Sequence, residues 1–320
     1  ALSAHWQDGA TVAISADLQA ILLPIVAETL FDSNVQADVE TVRTALAAIL
    51  PLLPMLMLPG SDLWMKLPTP RMKQALAAIK TLDQLVFGLI KSRQRDGLRG
   101  DLLSMLLAAQ DEQGGMSLQQ VRDEVLTLLL AGHETTVNAL TWTFFLLSQH
   151  PEVEAQLHDE LDRVLKQRAP SLADIAKLPY TRMVLQESLR LYPPAWAIGR
   201  QVMRDIDLGG RVIATDSTLF VSQWVMHRDA RYYHNPGCFD PQRWSAEQSQ
   251  TRPKFAYFPF GAGSRFCIGE RFAWLEMSLI LATLAQAWQL RAIEPEKVEP
   301  LPRITLRPKT FLQMQLIRRV

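Results

Sequence analysis

The sequence predicts a mainly α-helical protein with a smaller β part. From residue 15 to about residue 192, apolar side chains recur at the three- and four-residue spacing of amphipathic helices. After Pro194 the sequence changes to short alternating segments separated by turn residues, which is typical of small β-sheets. Because no internal repeat and no Gly/Ser-rich linker divides the chain, we expect one domain over residues 1–320, helix-rich over 1–192 and formed of strands and loops over 193–320.

Residues that start or stop regular structure bound each element. Ser117 is followed by Gln120 at the reciprocal capping position that begins a helix, and Pro151 marks its end. Pro193 and Pro194 stop the last helix before the strands. The predicted helices are residues 15–31, 37–50, 70–95, 100–110, 117–150, 151–166, 179–192 and 268–288. The predicted strands lie in residues 197–202, 206–214 and 217–224, loops fill 227–267, and residues 303–317 form a terminal hairpin.

Composition and charge exclude several classes of protein. The chain has 33 basic and 33 acidic residues, so it lacks the basic surface that nucleic-acid binding needs. Its two cysteines, Cys238 and Cys267, are too few for a disulfide scaffold. We expect a reduced chain, although one disulfide between them is also compatible with the sequence.

Two apolar runs resemble membrane segments. Residues 46–59 are too short to span a bilayer and contain three prolines, so we expect them to be structural or to line a substrate channel. Residues 125–147 are long enough, but His133 and Glu134 lie near their middle, where a charge in lipid is costly. The start of the chain shows no secretory signal. We therefore expect a soluble, cytoplasmic protein, while an anchor preceding residue 1 stays open.

The run FPFGAGSRFCIG, residues 258–269, places a cysteine among glycines and before a predicted helix. A thiolate metal ligand needs its charge stabilised, and the free N–H groups of a helix N-terminus beside Cys267 provide this. Gly263 and Gly269 would allow a flat ligand to approach closely, and Arg265 offers a cation to a carboxylate of that ligand. These residues alone support a metal ligand and a buried, inert thiol about equally.

The sequence ESLR contains a glutamate and an arginine three residues apart, Glu187 and Arg190. On a helix such a pair is usually a weak ion pair at the surface. That is the default interpretation of these two residues by themselves.

The sequence AGHETT, residues 131–136, interrupts the apolar run of the longest predicted helix. A glycine inside a helix costs about 1 kcal/mol relative to alanine, and a glutamate in an apolar environment is expensive. A helix kink, a polar contact between helices and a functional role are all compatible with Gly132 and Glu134.

Taken together and in this order, the motifs resemble those of the cytochrome P-450 superfamily. The pattern F-x-x-G-x-R-x-C-x-G is similar to the family's haem-binding signature. There the matching cysteine, here Cys267, is the axial thiolate ligand of haem iron, and the matching arginine, here Arg265, binds a haem propionate. The resemblance implies the P-450 fold and heme b (iron protoporphyrin IX) as cofactor. The cofactor-binding residues that it implies are Phe260, Gly263, Arg265, Cys267, Gly269, Arg200 and Ala131.

The same resemblance implies roles for the other motifs. ESLR resembles the family's E-x-x-R motif, in which Glu187 and Arg190 would join Arg243 in a buried structural triad. AGHETT resembles A-G-x-D/E-T, in which the helix opens locally to make room for dioxygen and the acid–alcohol pair, here Glu134 and Thr135, delivers protons during catalysis. The implied pocket residues are Ala195, Trp196, Ala197, Ile198, Ile304 and Thr305, with residues 51–64 as a lid or channel.

A haem-thiolate monooxygenase is the activity that the resemblance implies. It would hydroxylate a lipophilic substrate, such as a fatty acid or a terpenoid, with dioxygen. Because no flavin or iron–sulfur segment is present, electrons would come from a ferredoxin, a flavodoxin or a flavoprotein reductase. Residues 226–271 carry seven basic and four acidic residues, which favours an acidic partner. We expect His227, which lies in this region, to be structural.

Two alternatives stay open: a non-catalytic haem-binding or apo fragment, and a variant that uses peroxide directly. The sequence ALSAHWQDGATVAIS resembles a point well inside a family chain. We therefore expect a fragment of a longer protein whose early helices and strands precede it.

Overall fold

Long helices and short strands form the computed structural model, which describes residues 5–32, 39–52, 69–111, 114–249 and 252–319. The helices are α1 (Ile14–Phe31), α2 (Val39–Ile49), α3 (Pro70–Asp96), α4 (Leu102–Ala108), α5 (Leu118–Gln149), α6 (Pro151–Leu165), α7 (Pro179–Leu191), α8 (Gln223–Met226), α9 (Ala246–Ser249) and α10 (Glu270–Ala287). The strands are β1 (Thr11–Ala13), β2 (Gln110–Asp111), β3 (Gly114–Gly115), β4 (Ile198–Gln201), β5 (Ile206–Asp207), β6 (Val212–Ile213), β7 (Thr218–Val221), β8 (Trp288–Ala292), β9 (Pro300–Pro302), β10 (Leu306–Pro308) and β11 (Gln313–Arg318). The prediction of a mainly α protein with a smaller β part is confirmed.

Contacts divide the described residues into two units. The larger unit comprises Ala1–Ser15 and Asn138–Val320, and the smaller unit comprises Ala16–Val137. The smaller unit contains most of α1, helices α2 to α4 and the first part of α5. The larger unit contains the strands β4 to β11 and the cysteine run. The expectation of one domain over the whole chain stays a prediction.

Helix α1 supplies much of the core of the smaller unit. Leu18, Leu22 and Val26 are fully buried. By length and hydropathy α1 is also the one described helix that meets the criteria for a membrane span, with 39% of its 18-residue window buried. The core helix of a soluble protein meets the same criteria. The sequence-based expectation did not single out this helix, and most of residues 46–59 lie outside the described residues.

A buried ion pair, which the sequence did not predict, ties three helices of the smaller unit together. Arg93 near the end of α3 pairs with Asp101, and both side chains are buried. Arg93 also donates to the carbonyl oxygen of Phe31 at 3.1 Å and to Ser104 Oγ at 2.8 Å. Asp101 in turn accepts from the backbone N–H of Ser104 at 2.9 Å and so caps α4. The charges are therefore compensated within the core.

The start of α5 follows the predicted capping box. The backbone N–H of Ser117 donates to Gln120 Oε1 at 2.8 Å, and the N–H of Gln120 donates to Ser117 Oγ at 3.2 Å. The helix runs for 32 residues and ends at Gln149, two residues before Pro151. Both ends are therefore set by residues that can be recognised in the sequence.

The terminal hairpin predicted over residues 303–317 is wrong. Strand β10 pairs with β9, whereas β11 pairs with β8 and β1 in a three-stranded antiparallel sheet. Met314 faces Ala292 on one side and Val12 on the other. Met314 and Leu316 are fully buried, so the core face of β11 fixes its register against distant strands rather than against its neighbour in sequence.

His158 on α6 makes the protein sensitive to acid. Burial, with Arg319 and Arg291 nearby and Asp162 acting in the opposite direction, lowers the pKa of His158 from 6.5 to about 4. At His158 the unfolded chain takes up a proton near pH 6.5 and the folded chain does not. The contribution of His158 to stability is therefore complete above pH 6.5 and is lost as pH falls toward 4. A shift of this size corresponds to about 3 kcal/mol.

His158→Gln is therefore expected to flatten the loss of unfolding free energy between pH 6.5 and 4, because glutamine does not titrate there. Urea unfolding at several pH values measures this pH dependence of the unfolding free energy. His234→Gln is the control, since His234 is exposed. An unchanged slope in His158→Gln would contradict the assignment.

Candidate functional site

The cysteine run folds back on itself as a compact loop, here called the cysteine loop (residues 258–269). The N–H of Cys267 donates to the carbonyl oxygen of Phe260 at 3.0 Å, and that of Gly261 donates to Phe258 O at 2.9 Å. A turn of 3₁₀ helix, Gly263–Arg265, lies between them. The Cys267 side chain is exposed and forms no disulfide. It is not the buried, inert thiol that the residues alone also allowed.

Two glycines give the loop its shape. Gly261 and Gly263 have φ angles of +77° and +72°, in the region that favours glycine. A side chain at Gly261 would also come to 3.5 Å from Ile198 Cδ1, so strand β4 approaches the loop closely. Gly269 differs, because its φ of −85° suits any residue and an added Cβ would lie 3.8 Å from the Cys267 sulfur. Glycine there leaves that side of the sulfur open.

Helix α10 begins directly after the cysteine. Gly269 is its N-cap, and no side chain caps the first turn of this 18-residue helix. The first N–H groups of a helix lack intrahelical partners and carry a partial positive charge. They can therefore stabilise an anionic sulfur at Cys267.

An aromatic stack supports the loop from behind. The rings of Phe260 and Trp274 lie 5.4 Å apart, and the guanidinium carbon of Arg182 lies 3.2 Å from the Trp274 ring centroid. Trp274 Nε1 donates to Glu270 Oε1 at 3.2 Å. Burial lowers the pKa of Arg182. Phe260 is thus held by α10 and α7 together. The sequence analysis did not find Trp274 or Arg182. The only signal for Trp274 is an aromatic residue seven positions after the cysteine, and Arg182 has none.

The structure brings Glu187, Arg190 and Arg243 together in the larger unit. Glu187 and Arg190 are 0% exposed and form two hydrogen bonds of 2.8 Å. Arg243 Nε donates to the same carboxylate at 3.1 Å. Trp244 Nε1, at 2.9 Å, and the N–H of Asp240, at 3.0 Å, complete its hydrogen bonds. The pair is therefore not the weak surface contact that ESLR by itself suggested, and Trp244 is a member that the sequence analysis missed.

Arg200 and Arg265, the two arginines expected at the haem propionates, are both exposed. Arg200 lies on β4 and its Nη1 donates to the carbonyl oxygen of Gly199 at 2.8 Å. Arg265 ends the 3₁₀ turn of the cysteine loop. Their role at a propionate stays a prediction.

Two segments expected to line the substrate pocket are joined to each other. Trp196 Nε1 donates to the carbonyl oxygen of Arg303 at 2.7 Å, and residues 195–198 are all half-buried. Ile304 is exposed, whereas Thr305 is buried and its Oγ1 accepts from Asn138 Nδ2 at 3.1 Å. Residues 53–64 of the expected lid lie outside the described residues. The pocket assignment stays a prediction.

Helix α5 runs without a break through AGHETT. The local opening that the resemblance implies stays a prediction. Two hydroxyls in this segment bond to the preceding turn: Thr135 Oγ1 donates to the carbonyl oxygen of Ala131 at 2.7 Å, and Thr136 Oγ1 to that of Gly132 at 3.1 Å. An added Cβ at Gly132 would lie 3.2 Å from Val26 Cγ1, so close approach of α1 accounts for the glycine. Ala131 is exposed and Glu134 is buried.

The surroundings of Cys267 fit a flat, mostly apolar ligand that carries its own metal. Phe266 and Ile268 on either side of the cysteine are exposed, Ile268 to 87%. Among the described residues no group of three His, Cys, Asp or Glu could hold a metal ion. A porphyrin brings ligands of its own and does not require such a group beside Cys267.

Comparison with known sequences gives one family. The cytochrome P450 family model matches residues 2–314. Cyclooctatin synthase of Streptomyces melanosporofaciens is 39% identical over 315 residues, which are 95% of this chain and 67% of that protein. Pentalenene oxygenase of Streptomyces avermitilis is 36% identical, over 100% of this chain and 72% of that protein. For cyclooctat-9-en-7-ol 5-monooxygenase of S. melanosporofaciens the identity is 38%, over 90% of this chain and 64% of that protein.

Comparison with solved structures gives the same fold. The cytochrome P450DA heme domain is similar with a TM-score of 0.88 and 29% identity, over 100% of this chain and 71% of that one. The retinoic acid-bound cyanobacterial CYP120A1 is similar with a TM-score of 0.88 and 27% identity, over 99% of this chain and 72% of that one. The chain thus spans about two thirds of the length of these five proteins.

Proposed function

This chain belongs to the cytochrome P450 family, and from that premise we propose that it is a haem-thiolate monooxygenase acting on a terpenoid. The observation that carries the proposal is the exposed Cys267 thiol, which lies in a glycine-shaped loop at the uncapped N-terminus of α10. A thiol so placed is accessible to a metal ion and can act as its ligand.

The residues of the cysteine loop suit a bound haem, for which we propose the b form. Cys267 would hold the iron, and Arg265 and Arg200 would pair with the propionates. Phe260, fixed on Trp274, and the glycines 263 and 269 would leave the loop open to the porphyrin face. The bound haem would supply the redox chemistry that activates dioxygen.

Proton delivery is the role that we propose for Glu134 and Thr135. The Thr135 hydroxyl donates to the Ala131 carbonyl and keeps two lone pairs that can accept a further hydrogen bond. When it turns away from the Ala131 carbonyl, it can donate its own proton and take up another at a lone pair. The Glu134 carboxyl, one residue earlier on α5, is a source of that proton.

The names of the relatives support the proposed substrate class. Three of them are named for cyclooctatin, cyclooctat-9-en-7-ol and pentalenene, and one structural neighbour binds retinoic acid. A lipophilic terpenoid is therefore favoured over a fatty acid for this chain. The candidate pocket residues, Ala195 to Ile198 and Ile304 with Thr305, are predominantly apolar, as such a substrate requires.

The proposed enzyme acts in the cytoplasm. It receives its electrons from a separate donor of the ferredoxin, flavodoxin or flavoprotein type. Not all seven basic residues of 226–271 are available to it, because Arg243 is buried on Glu187 and Arg231 is paired with Asp229. Lys254 and Arg271 are exposed and take no part in the proposed propionate pairing. They supply the positive charge that an acidic partner would meet.

Thr135→Ala tests the proposed activity. With a surrogate ferredoxin and reductase and a terpenoid hydrocarbon, we expect the wild type to form an alcohol, and Thr135→Ala to form several-fold less product per electron consumed. A positioned proton donor contributes roughly 10²–10⁴-fold to a rate, so a clear change is expected. Product is measured by mass spectrometry and electrons by oxidation of the reductant.

Two variants control this experiment. Thr135→Ser retains the hydroxyl and is expected to keep the yield. Thr127→Ala removes an equivalent hydrogen bond, from Oγ1 to the Asp123 carbonyl oxygen at 2.8 Å, from the same helix, and is expected to have no effect. Equal yields from Thr135→Ala and the wild type would refute the proton-delivery role. Haem that never binds would support the apo alternative, and product formed from peroxide alone would support the peroxide-using one.

A further inference from the structure

His227 connects the buried ion cluster to the cysteine loop. It follows α8 directly and is 0% exposed. Its carbonyl oxygen accepts a hydrogen bond of 2.8 Å from Arg190 Nη1. Its ring Nε2 accepts one of 3.0 Å from the backbone N–H of Phe258, the first residue of the loop. One residue thus contacts both the Glu187–Arg190 pair and the cysteine loop.

The direction of the second hydrogen bond determines the state of the ring. A backbone N–H can only donate, so Nε2 must accept, and the imidazole must be neutral with its proton on Nδ1. Burial and the positive charges of Arg190 and Arg228 lower the pKa of His227 to about 3. The rings of Tyr257 and Phe258, centred 5.1 and 5.3 Å away, hold the plane of the imidazole. The acceptor is therefore present throughout the neutral range.

Histidine at this position is not explained by packing alone. Its Nδ1 is buried and makes no well-formed hydrogen bond among the described residues, although backbone groups of Leu189 and Arg190 partly compensate it and act to raise its pKa. An unsatisfied buried donor is unfavourable for folding, and an apolar side chain of similar size would avoid that penalty. What an apolar side chain could not do is accept the N–H of Phe258.

A change in the position of Phe258 would also move Cys267, because hydrogen bonds within the loop connect them. The Phe258 carbonyl oxygen accepts the N–H of Gly261, and Phe260 O accepts the N–H of Cys267. Because the loop consists of consecutive turns, rotation of the first peptide would turn the later ones.

We propose that His227 is a positioning residue for Cys267, which anchors the cysteine loop to the Glu187–Arg190 cluster through the Phe258 amide. The proposal rests on the proposed function in one respect only, that Cys267 is the thiolate ligand. The orientation of the loop itself belongs to the protein and can be measured without haem.

Two substitutions separate acceptor geometry from bulk. His227→Gln places a side-chain oxygen close to the position of Nε2, whereas the shorter His227→Asn places it near Nδ1, out of reach of Phe258. In protein without haem, hydrogen exchange of the Phe258 amide is expected to accelerate about tenfold in His227→Asn and to stay near the wild-type rate in His227→Gln. Amides of the helix Leu118–Gln149 report global stability in the same experiment.

A second measurement uses the haem-loaded protein. The share of reduced, carbon monoxide-bound protein with the strongly red-shifted, thiolate-type Soret band is expected to fall in His227→Asn and to be retained in His227→Gln. This spectrum reports ligation of the iron by the thiolate. A loss of packing shared by both variants would lower the band equally in the two and would not produce this difference.

The proposal is overturned by equal Phe258 exchange in the two variants, or by acceleration in His227→Asn that the helix amides share. If the wild type takes up no haem, the function proposal fails, while the exchange experiment still decides the role of His227. If haem binds and the Phe258 amide stays protected in His227→Asn, only the His227 proposal fails.

Discussion

Cys267→Ser is expected to abolish the strongly red-shifted Soret band of the reduced, carbon monoxide-bound protein and to reduce product formation to background. A serine hydroxyl does not lose its proton as a thiol does, so the sulfur-specific donation to iron is lost. The exposed position of Cys267 favours survival of the fold, because no buried contact of its side chain is removed. The absorption spectrum and a product assay measure the two effects.

Cys238→Ser is the matched control for this prediction. Cys238 is the only other cysteine, is also exposed and forms no disulfide. Its backbone carbonyl oxygen accepts from Arg190 Nη2 at 2.9 Å, and a serine preserves that contact. We expect its spectrum and activity to match the wild type. A red-shifted band that survives in Cys267→Ser, or is lost equally in Cys238→Ser, would show that another group binds the iron.

Glu187→Gln is expected to lower the free energy of unfolding by about 3–5 kcal/mol. The carboxylate accepts hydrogen bonds from Arg190, Arg243, Trp244 and the Asp240 amide. Neutralising it leaves Arg190, fully buried, without its counter-charge. Denaturant unfolding measures the loss, and because Arg190 also holds the His227 carbonyl, haem retention is expected to fall with it.

Glu40→Gln provides the comparison for that variant. Glu40 and Arg43 have the same three-residue spacing and are joined by a hydrogen bond of 2.8 Å, but both side chains are exposed. Solvent screens such a pair, so its loss is expected to change stability little. If the two substitutions destabilise the protein equally, burial is not what gives the Glu187 cluster its importance.

Helix positions were largely predictable, because apolar spacing and capping residues act within one or two turns. The Ser117–Gln120 box and the stop before Pro151 show this directly. Strand partners were not predictable in the same way. The hairpin predicted over residues 303–317 failed because its two strands belong to different sheets, and β1 and β8 were not predicted as strands at all. Both are short, and their pairing comes from β11.

The residues of the candidate site also differ in whether the sequence predicts them. Cys267, Arg265 and the glycines belong to a twelve-residue run whose chemistry can be read from residue types and order. Trp244, Trp274 and His227 have no comparable signal. Their importance comes from a hydrogen bond or a ring contact with a residue in another segment. His227 was expected to be structural. In the structure its Nε2 accepts a hydrogen bond from the Phe258 amide, which is a specific contact for that role.

The sequence by itself determined the family and the cysteine that defines it, because those signals lie within short segments. The bond from the Cys267 N–H to Phe260 closes a loop within one such segment. Only the tertiary structure decided that Glu187 is buried, with Arg243 and Trp244 bound to it across 56 and 57 residues, and that His227 supports Phe258. The physical reason is that the energy of a charge or a hydrogen bond depends on what surrounds it. The same Glu–Arg spacing is a weak contact in water at Glu40 and a stabilising core at Glu187.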